Sequence, residues 1–384
     1  MPPRPRALYG DGAVPIASSA FVPSHVARLD LYQPGKPIDE LERELGITGA
    51  IKVASNENPL GPSPRALAAL PAALGQLHRY PDAAGVPLRR ALAARIGCEA
   101  GHIALGNGSN DLLYQLVLAT CDVTDEVLTH ECSFLSYRLA AQVAGRRFVA
   151  APTTPELACD IDALIAAFTP HTRLVVVGTP NNPTGTVIAR AGLDRLIAAL
   201  PERALLVIDE AYTEYAAQWP EVDHADGLAA WRREPRVIVL RTFSKIYGLA
   251  GLRIGFAVAD PAVIDVLGRV CRTFHVSSLA MAGALAALDD TEHVAQGARH
   301  ARRAIERYLA EIRGPGVRVY PSLGNFVLID CGRPSAPLYE RLLRRGVIVR
   351  PMAAWGLPAH LRVSVARDAD LPRVIAALND ELAA

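Results

Sequence analysis

Short runs of Val, Ile and Leu alternate with helix-like segments up to about residue 260. The apolar runs lie at residues 126–129, 174–177, 205–208, 237–240 and 254–258. Between them, residues 111–119, 134–144, 161–168 and 193–200 have apolar positions spaced for one face of a helix. Continuous apolar runs are typical of strands buried on both faces, so the alternation favours a largely parallel sheet covered by helices. Such sheets bind ligands at the carboxyl edge of their strands.

The pattern changes after residue 260. Residues 277–288, 292–313, 337–345 and 370–383 have helical patterns, and residues 325–329, 347–349 and 361–365 read as shorter strands. This mixture predicts a second, smaller α+β domain. At the other end, Pro15 and two serines interrupt the mildly apolar stretch 13–22. We therefore expect residues 1–20 to be a flexible arm rather than a signal peptide.

Composition narrows the class of protein further. The 384 residues are 51% apolar, which is enough for a large core and two domains. The 40 Lys and Arg nearly balance the 39 Asp and Glu, so no net charge attracts nucleic acid or an anionic membrane. No apolar run is long enough to span a bilayer. Six scattered cysteines without a C-x-x-C pair fit a reduced, cytoplasmic protein without a zinc site.

A lysine at the end of one predicted strand is the first candidate for chemistry. Lys245 directly follows Ser244, and Thr242 and Arg253 lie within eight residues of it. Partial desolvation lowers the pKa of a lysine and favours its nucleophilic amine, while hydroxyls and a guanidinium suit a phosphate dianion. Taken alone, the segment proves little, because most lysines in a soluble chain are ordinary solvated surface residues.

Three other segments lie at strand ends or before helices. Residues 106–110 (Gly-Asn-Gly-Ser-Asn) precede a predicted helix, where free N–H groups can bind an anion, although an ordinary capped turn is the alternative. Residues 179–185 hold Asn182 between two prolines and a glycine. Asp209 and Tyr212 follow the most apolar strand, and a buried carboxylate there needs a cation, such as a protonated ring nitrogen or a salt-bridge partner.

The joint order of these segments resembles the fold-type-I pyridoxal-phosphate aminotransferases, and within them the histidinol-phosphate aminotransferase group. The resemblance covers roughly residues 25–380. It implies an aspartate-aminotransferase-like α/β fold with a mostly parallel seven-stranded sheet. The expected division is an N-terminal arm joining the small domain (1–50), a large cofactor-binding domain (51–280) and a small C-terminal domain (281–384). The matching residues are 52–61, 79–82, 106–110, 181–185, 209–212, 241–255, 324–328, 346–350 and 361–364.

The resemblance also implies roles around pyridoxal phosphate. Lys245 would carry the cofactor as a Schiff base and later move the substrate proton. Asp209 would keep the pyridine nitrogen protonated, so that the ring accepts electrons. Asn182 and Tyr212 would contact the phenolic oxygen, and Phe134 would stack on the ring. The phosphate ligands would be Gly108, Ser109, Asn110, Thr242, Ser244 and Arg253.

Other implied roles concern the substrate and a second subunit. A tyrosine at the position of Tyr80 reaches the phosphate from the partner, which implies a homodimer with shared active sites. Arg362 matches the arginine that binds the α-carboxylate of the amino donor. Arg350 either adds to phosphate binding or forms a surface salt bridge. Asn58 is expected near the substrate mouth. No metal is implied.

Two segments depart from the family pattern. Residues 132–137 (Cys-Ser-Phe-Leu-Ser-Tyr) lack the proline that usually begins this loop, but they keep the aromatic residue. Residues 273–277 (Thr-Phe-His-Val-Ser) place His275 and Ser277 where two asparagines are usual. These changes leave cofactor binding intact and alter the side chains that a substrate could meet. A lone histidine is more often structural than catalytic.

The expected activity is amino transfer from histidinol phosphate to 2-oxoglutarate, which yields imidazole acetol phosphate and glutamate. An aromatic amino-acid aminotransferase shares the same motifs and is the alternative, followed by a pyridoxal-phosphate decarboxylase of amino-acid phosphates. A non-catalytic module fused to a DNA-binding domain is disfavoured because residues 1–50 show no helix-turn-helix pattern. A nicotinamide dehydrogenase is disfavoured because no G-x-G-x-x-G follows a strand.

Overall fold

A computed structural model describes residues 21–29 and 35–383 of the chain. The arm expected at residues 1–20 lies outside the described residues. The strands are β1 (Ile51–Lys52), β2 (Ile103–Gly106), β3 (Glu126–His130), β4 (Arg147–Ala151), β5 (Thr172–Gly178), β6 (Leu205–Asp209), β7 (Val237–Thr242), β8 (Gly255–Val258), β9 (Arg318–Tyr320), β10 (Phe326–Asp330), β11 (Val347–Ile348), β12 (Arg350–Pro351) and β13 (His360–Ser364).

Helices lie between most of these strands. They are α1 (Ser24–Ala27), α2 (Ile38–Leu45), α3 (Pro64–Leu74), α4 (Val86–Ile96), α5 (Ser109–Thr120), α6 (Leu135–Val143), α7 (Ile161–Ala166), α8 (Arg190–Ala199), α9 (Thr213–Ala216), α10 (Gly227–Arg233), α11 (Pro261–Val270), α12 (Ser278–Leu288), α13 (Thr291–Glu311), α14 (Ser335–Arg344) and α15 (Leu371–Ala383). No helix in residues 21–29 or 35–383 is long and apolar enough to span a membrane.

The large sheet has seven strands in the order β2-β8-β7-β6-β5-β3-β4. Strands β3 to β7 pair in parallel, which confirms the predicted largely parallel sheet. Strand β8 is antiparallel to both neighbours. Residues 243–254 contain only a short 3₁₀ turn and no crossover helix, so the chain returns antiparallel. The sequence patterns did not reveal β2 and β4, because alanine and glycine interrupt the apolar residues of β2 and β4 is partly exposed.

Alternate side chains of the central strands are buried on opposite faces of this sheet. Val175 and Val177 of β5 pack in one core with α8, and Leu174 and Val176 pack in another with α5, α6 and α11. Fully burying each such side chain contributes roughly 1.5–3 kcal/mol. Burial on both faces explains why these strands appear as uninterrupted apolar runs.

The C-terminal region forms an antiparallel sheet in the order β12-β13-β10-β9. Strand β1 pairs in parallel with β11, and Leu41 of α2 packs against Leu343 and Ile348. These contacts join α2 and β1 to the small domain. Helix α12 begins before the expected boundary at residue 280 and continues past it. The division into 1–50, 51–280 and 281–384 stays a prediction.

Candidate active site

A cavity lies at the carboxyl edge of β5, β6 and β7, beside the first residues of α5. It brings together every residue predicted to contact a cofactor except Tyr80. Tyr137, Pro180 and Ala211 join them. The lining residues are Gly108, Ser109, Asn110, Phe134, Tyr137, Pro180, Asn182, Asp209, Ala211, Tyr212, Thr242, Ser244, Lys245 and Arg253.

One end of the cavity is a cradle for an anion. Gly108 is the N-cap residue before α5 and has a φ of 86°, and a Cβ atom there would lie 2.7 Å from Nη2 of Arg253. Nη1 of Arg253 donates to Oγ of Ser244 over 3.3 Å. A Cβ atom on Gly255 would lie 2.4 Å from the backbone nitrogen of Ser109. The two glycines therefore let a guanidinium, a hydroxyl and a helix N-terminus meet, which suits a phosphate group.

Asp209 lies at the other end of the cavity, at the last position of β6. The hydroxyl of Tyr137 donates to its Oδ2 over 3.0 Å, and the backbone N–H of Ala211 donates to its Oδ1 over 3.1 Å. Burial raises the pKa of Asp209 to about 6, although these two hydrogen bonds oppose the shift. The carboxyl is therefore mostly ionised at pH 7 and can pair with a cation.

Lys245 reaches the same cavity from the loop after β7. Its Nζ donates to the carbonyl oxygen of Ser55 over 3.3 Å and lies 5.7 Å from the ring centroid of Tyr212. Burial lowers the pKa of Lys245 to about 8, and the positive charge of Arg362 adds to the shift. About one-tenth of the amine is then neutral at pH 7, far more than for a solvated lysine. Such a lysine is suited to nucleophilic and base chemistry.

Asn56 fixes the phenol of Tyr212. Its Nδ2 donates to the Tyr212 hydroxyl over 3.0 Å, and its own Oδ1 accepts from Oγ of Ser364 over 2.9 Å. Asn56 has a φ of 55°, a conformation that asparagine tolerates better than most residues. Burial raises the pKa of Tyr212 to about 12, so its hydroxyl remains a donor. These hydrogen bonds therefore connect three parts of the fold: the segment after β1, the end of the large sheet and β13.

Arg362 crosses from the small domain to the rim of the cavity. Its Nη1 donates to Oδ1 of Asn182 over 2.5 Å, and its Nη2 donates to the carbonyl oxygen of Ala54 over 2.7 Å. The guanidinium carbon lies 5.5 Å from the ring centroid of Phe326, and the residue is only 5% exposed. Because Asn182 accepts through Oδ1, its Nδ2 is the donor left for a ligand.

Arg350 and Asn58 lie near the cavity without lining it. Arg350 is the cross-strand neighbour of Arg362 in the β12–β13 pair, and its guanidinium carbon lies 5.5 Å from the ring centroid of Trp355. Nδ2 of Asn58 donates to the carbonyl oxygen of Ile246 over 2.8 Å. Asn58 therefore holds the backbone next to the lysine.

Tyr80 points away from the cavity of its own chain. It is 82% exposed, and its ring stacks on that of Phe274 with 4.7 Å between the centroids. His275, in the same variant segment as Phe274, lies 2.9 Å from the carbonyl oxygen of Leu105 through Nε2 and does not line the cavity. Within one chain, Tyr80 and residues 273–277 therefore lie outside the active-site cavity.

Sequence reasoning missed two residues of the site, Tyr137 and Asn56. Asn56 lies inside a segment that carried the family resemblance, and Tyr137 lies in the variant segment 132–137. Their partners were not visible, because the Tyr137–Asp209 contact spans 72 positions and the Asn56–Ser364 contacts span 308. In the described ranges, no three His, Cys, Asp or Glu side chains are grouped to hold a metal ion.

The seven-stranded sheet, the antiparallel small domain and the lysine at the sheet edge define the class as fold-type-I, aspartate-aminotransferase-like enzymes. The chain belongs to the aminotransferase class I and II family, whose sequence model matches residues 48–378. Family membership thus agrees with the class that the fold and the site define.

Curated relatives match nearly the whole chain. It is 44% identical to histidinol-phosphate aminotransferase 1 of Nitrosococcus oceani, over 93% of this chain and 95% of the relative. It is 45% identical to the histidinol-phosphate aminotransferase of an Anaeromyxobacter species, over 95% of this chain and all of the relative (100%).

Solved structures confirm the fold. The histidinol-phosphate aminotransferase of Sinorhizobium meliloti, solved in complex with pyridoxal-5'-phosphate, superposes with a TM-score of 0.84 at 29% identity, covering 94% of this chain and 98% of that one. Aspartate aminotransferase of Thermus thermophilus with maleate superposes with a TM-score of 0.80 at 24% identity, covering 94% and 99%, and shows the shared fold alone.

Proposed function

We propose that this chain is a pyridoxal-phosphate-dependent aminotransferase that transfers the amino group of histidinol phosphate to 2-oxoglutarate. The observation that carries the proposal is the single cavity in which Lys245 and Asp209 face an anion cradle. Relatives named histidinol-phosphate aminotransferase, 44–45% identical over most of the chain, support the choice of donor.

The residues present fit pyridoxal phosphate. Oδ1 of Asn110 is buried at the cradle without a hydrogen-bond partner among the described residues, so the cavity holds an unused polar atom beside the phosphate position. The cradle would hold the phosphate, and Phe134 would cover the ring. The carboxylate of Asp209 would pair with the ring nitrogen, and Asn182 and Tyr212 would donate to the phenolic oxygen.

When bound, pyridoxal phosphate supplies an electron-withdrawing ring that accepts the electron pair released at the substrate α-carbon. The chain supplies the remaining functions. Nζ of Lys245 takes the α-proton, for which its lowered pKa is suited. Arg362 binds the substrate carboxylate, or the equivalent anionic group, beside Asn182.

Two arginines support a phosphorylated donor. Arg350 and Arg362 are directly opposite on β12 and β13, so both side chains leave the same face of the small sheet. We propose that Arg350 adds to the binding of the substrate phosphate. Asn58 would act indirectly, by holding the backbone beside Lys245.

We propose that the enzyme is a homodimer. Large apolar side chains are exposed in a row along residues 60–80, with Phe274 stacked on Tyr80, and Leu67 and Leu74 lie seven residues apart on α3. An exposed row of this kind is typical of a protein interface. Tyr80 belongs to it, and we propose that it reaches the cofactor phosphate of the partner. The row consists of Leu60, Leu67, Leu74, Leu77, Tyr80 and Phe274.

The dimer can be tested by adding charge to this row. Leu67→Glu combined with Leu74→Glu should give a monomer in sedimentation velocity, because two buried carboxylates would oppose association. Leu118→Glu is the matched control, since Leu118 is exposed on α5 outside the row. A double variant that stays dimeric would rule out this face as the interface.

We propose a cytoplasmic protein whose partners are a small amino donor, a 2-oxo acid and a second copy of itself. Near-balanced charge and six free thiols support this environment and give no attraction for nucleic acid.

The substrate can be tested with an amino-donor panel. Single turnovers with histidinol phosphate, histidine, phenylalanine and tyrosine should be compared by the change in cofactor absorbance. We expect histidinol phosphate to react with the highest kcat/KM and to release its 2-oxo product. A preference for phenylalanine or tyrosine would favour the aromatic aminotransferase, and release of carbon dioxide would favour the decarboxylase.

A further inference from the structure

Tyr137 is buried between Phe134, which is proposed to cover the cofactor ring, and Asp209, which is proposed to pair with the ring nitrogen. It lies one helical turn after Phe134 at the start of α6, and only 1% of its surface is exposed. Its ring meets that of Phe134 edge-on, with 5.7 Å between the centroids and an interplanar angle of 88°. Its hydroxyl donates to Oδ2 of Asp209 over 3.0 Å. One side chain therefore contacts both the ring-covering aromatic and the carboxylate.

The Tyr137 side chain passes over β5 at Gly178 to reach Asp209. Gly178 pairs with Asp209 in the register between β5 and β6, so both positions face the same side of the sheet as Tyr137. A Cβ atom on Gly178 would lie 3.0 Å from the Tyr137 hydroxyl oxygen, whereas its other neighbours, both on Asn181, are 3.5 Å away. The backbone of Gly178 is not in the left-handed region. The tight contact is therefore with the hydroxyl and not with the surrounding backbone.

We infer that Tyr137 is a positioning residue that holds Asp209 and Phe134 in place around the cofactor, and that Gly178 leaves the space through which its hydroxyl reaches Asp209. The inference rests on the proposed cofactor. Tyr137 and the N–H of Ala211 each occupy one oxygen of Asp209, which fixes the plane of the carboxylate and leaves a second lone pair on each oxygen for a ring nitrogen.

The hydrogen bond also affects the charge of Asp209. The titratable groups that face this carboxyl are Tyr137, Lys245, Glu210 and Tyr212. A donor to the carboxylate favours its ionised form, so removing the Tyr137 hydroxyl raises the pKa of Asp209 above its value of about 6. The acid limb of the kcat profile then moves to higher pH.

The test compares Tyr137→Phe, Gly178→Ala and the double variant as holoenzymes. For Tyr137→Phe we expect cofactor loss, followed by visible absorbance, to be about tenfold faster and kcat about tenfold lower, because a hydrogen bond to a charged group is removed. KM for the amino donor should change little. Gly178→Ala should show a smaller loss in the same direction. In the Tyr137→Phe background it should cost nothing, because the clashing oxygen is absent.

Tyr308→Phe is the matched control. Tyr308 is fully buried and its hydroxyl donates to the carbonyl oxygen of Ser364, so this variant measures the cost of losing a buried phenol outside the cofactor contacts. Its cofactor release rate and acid limb should equal those of the wild type.

Three results would overturn the inference. They are a Tyr137→Phe enzyme within twofold of wild type in cofactor release and kcat, an unmoved acid limb, and an equal effect of Gly178→Ala in both backgrounds. A wild-type protein that binds no pyridoxal phosphate would instead overturn the proposed function, so the two failures can be told apart.

Discussion

The large-domain wall of the cavity and the small-domain wall differ in how completely one chain builds them. The large-domain wall holds the anion cradle, Asp209 and Lys245, and each has hydrogen-bond partners within the chain. The opposite side offers Arg362 and, farther out, Arg350. Tyr80, which belongs to the same predicted site, projects into solvent.

This difference separates two tasks. Strand ends of a sheet are rigid, so they suit the contacts that position a cofactor and set pKa values. Substrate contacts are expected from loops, from the small domain and, in the proposed dimer, from a partner chain, where side chains can change without disturbing the sheet. The variant segments at residues 132–137 and 273–277 fit this scheme, because the first keeps Phe134 in the cavity and the second lies outside it.

The comparison is tested most strongly at Lys245. Lys245→Ala should lower turnover by about 10⁴-fold, because the base for the α-proton is removed. Borohydride reduction followed by mass spectrometry should find no cofactor attached to the variant protein. A reducible lysine adduct in Lys245→Ala would contradict the assignment and move the catalytic amine elsewhere.

Asp209→Asn should have opposite effects on activity and stability. Turnover should fall by about 10²–10³-fold, because a neutral amide cannot hold the proton on the ring nitrogen as a carboxylate does. The folded pKa of about 6 exceeds the ordinary value of 3.8, so this carboxyl favours the folded state at low pH and loses that contribution as the pH rises through 6. The cofactor-free variant should therefore gain up to about 3 kcal/mol over wild type at pH 8.

Urea unfolding of the cofactor-free proteins at pH 5 and pH 8 measures this gain. The difference between wild type and Asp209→Asn should be larger at pH 8. A difference that grows towards low pH would show that the buried carboxyl of Asp209 does not carry this cost.

Substitutions in the small-domain wall should change kcat/KM for particular amino donors and should not abolish the reaction. Arg362→Lys should lower kcat/KM by about 10–100-fold for every donor, because the fork of hydrogen bonds to an anion and to Asn182 is lost. Arg350→Lys should lower kcat/KM by about tenfold for histidinol phosphate alone. Histidine, which lacks the phosphate, is the control donor. An equal loss of kcat/KM with histidine would show that Arg350 does not bind the substrate phosphate.

The smallest effect is expected at Tyr80. Tyr80→Phe should weaken cofactor binding about fivefold, the size of one hydrogen bond, without changing the visible spectrum. Equilibrium titration with pyridoxal phosphate measures it, and Tyr339→Phe, which packs beside the small-domain core and does not line the cavity, serves as control. If Tyr80→Phe lost more affinity for pyridoxal phosphate than Asp209→Asn in the same titration, the partner chain and not the sheet edge would dominate cofactor binding.

Much of the fold could be predicted because buried parallel strands have a distinctive pattern. Strands β3, β5, β6 and β7 were found as continuous apolar runs, since both of their faces are covered. The antiparallel direction of β8 was not predicted, because strand direction depends on the connection and not on side-chain pattern. Strands β9 (Arg-Val-Tyr) and β12 (Arg-Pro) were missed because neither contains a run of apolar residues.

The site shows the same limit at the level of single residues. Gly108, Asp209 and Lys245 were identified because each occupies a strand end or loop with an unusual residue pattern. Tyr137 and Asn56 were not, because a tyrosine on a helix and an asparagine in a loop gain meaning only through distant partners. Asn58, selected from the same run, holds the backbone of Ile246 instead of lining the cavity.

The sequence by itself determined the sheet, the position of the lysine and the order of the cofactor-binding segments, because periodicity and strand-end chemistry are local properties of a chain. Only the tertiary structure decided which groups meet. It placed the Tyr137 hydroxyl on Asp209 across Gly178, and it set the pKa of Lys245 at about 8 through burial. Such contacts and pKa values depend on distances across the fold, and the order of residues does not encode those distances locally.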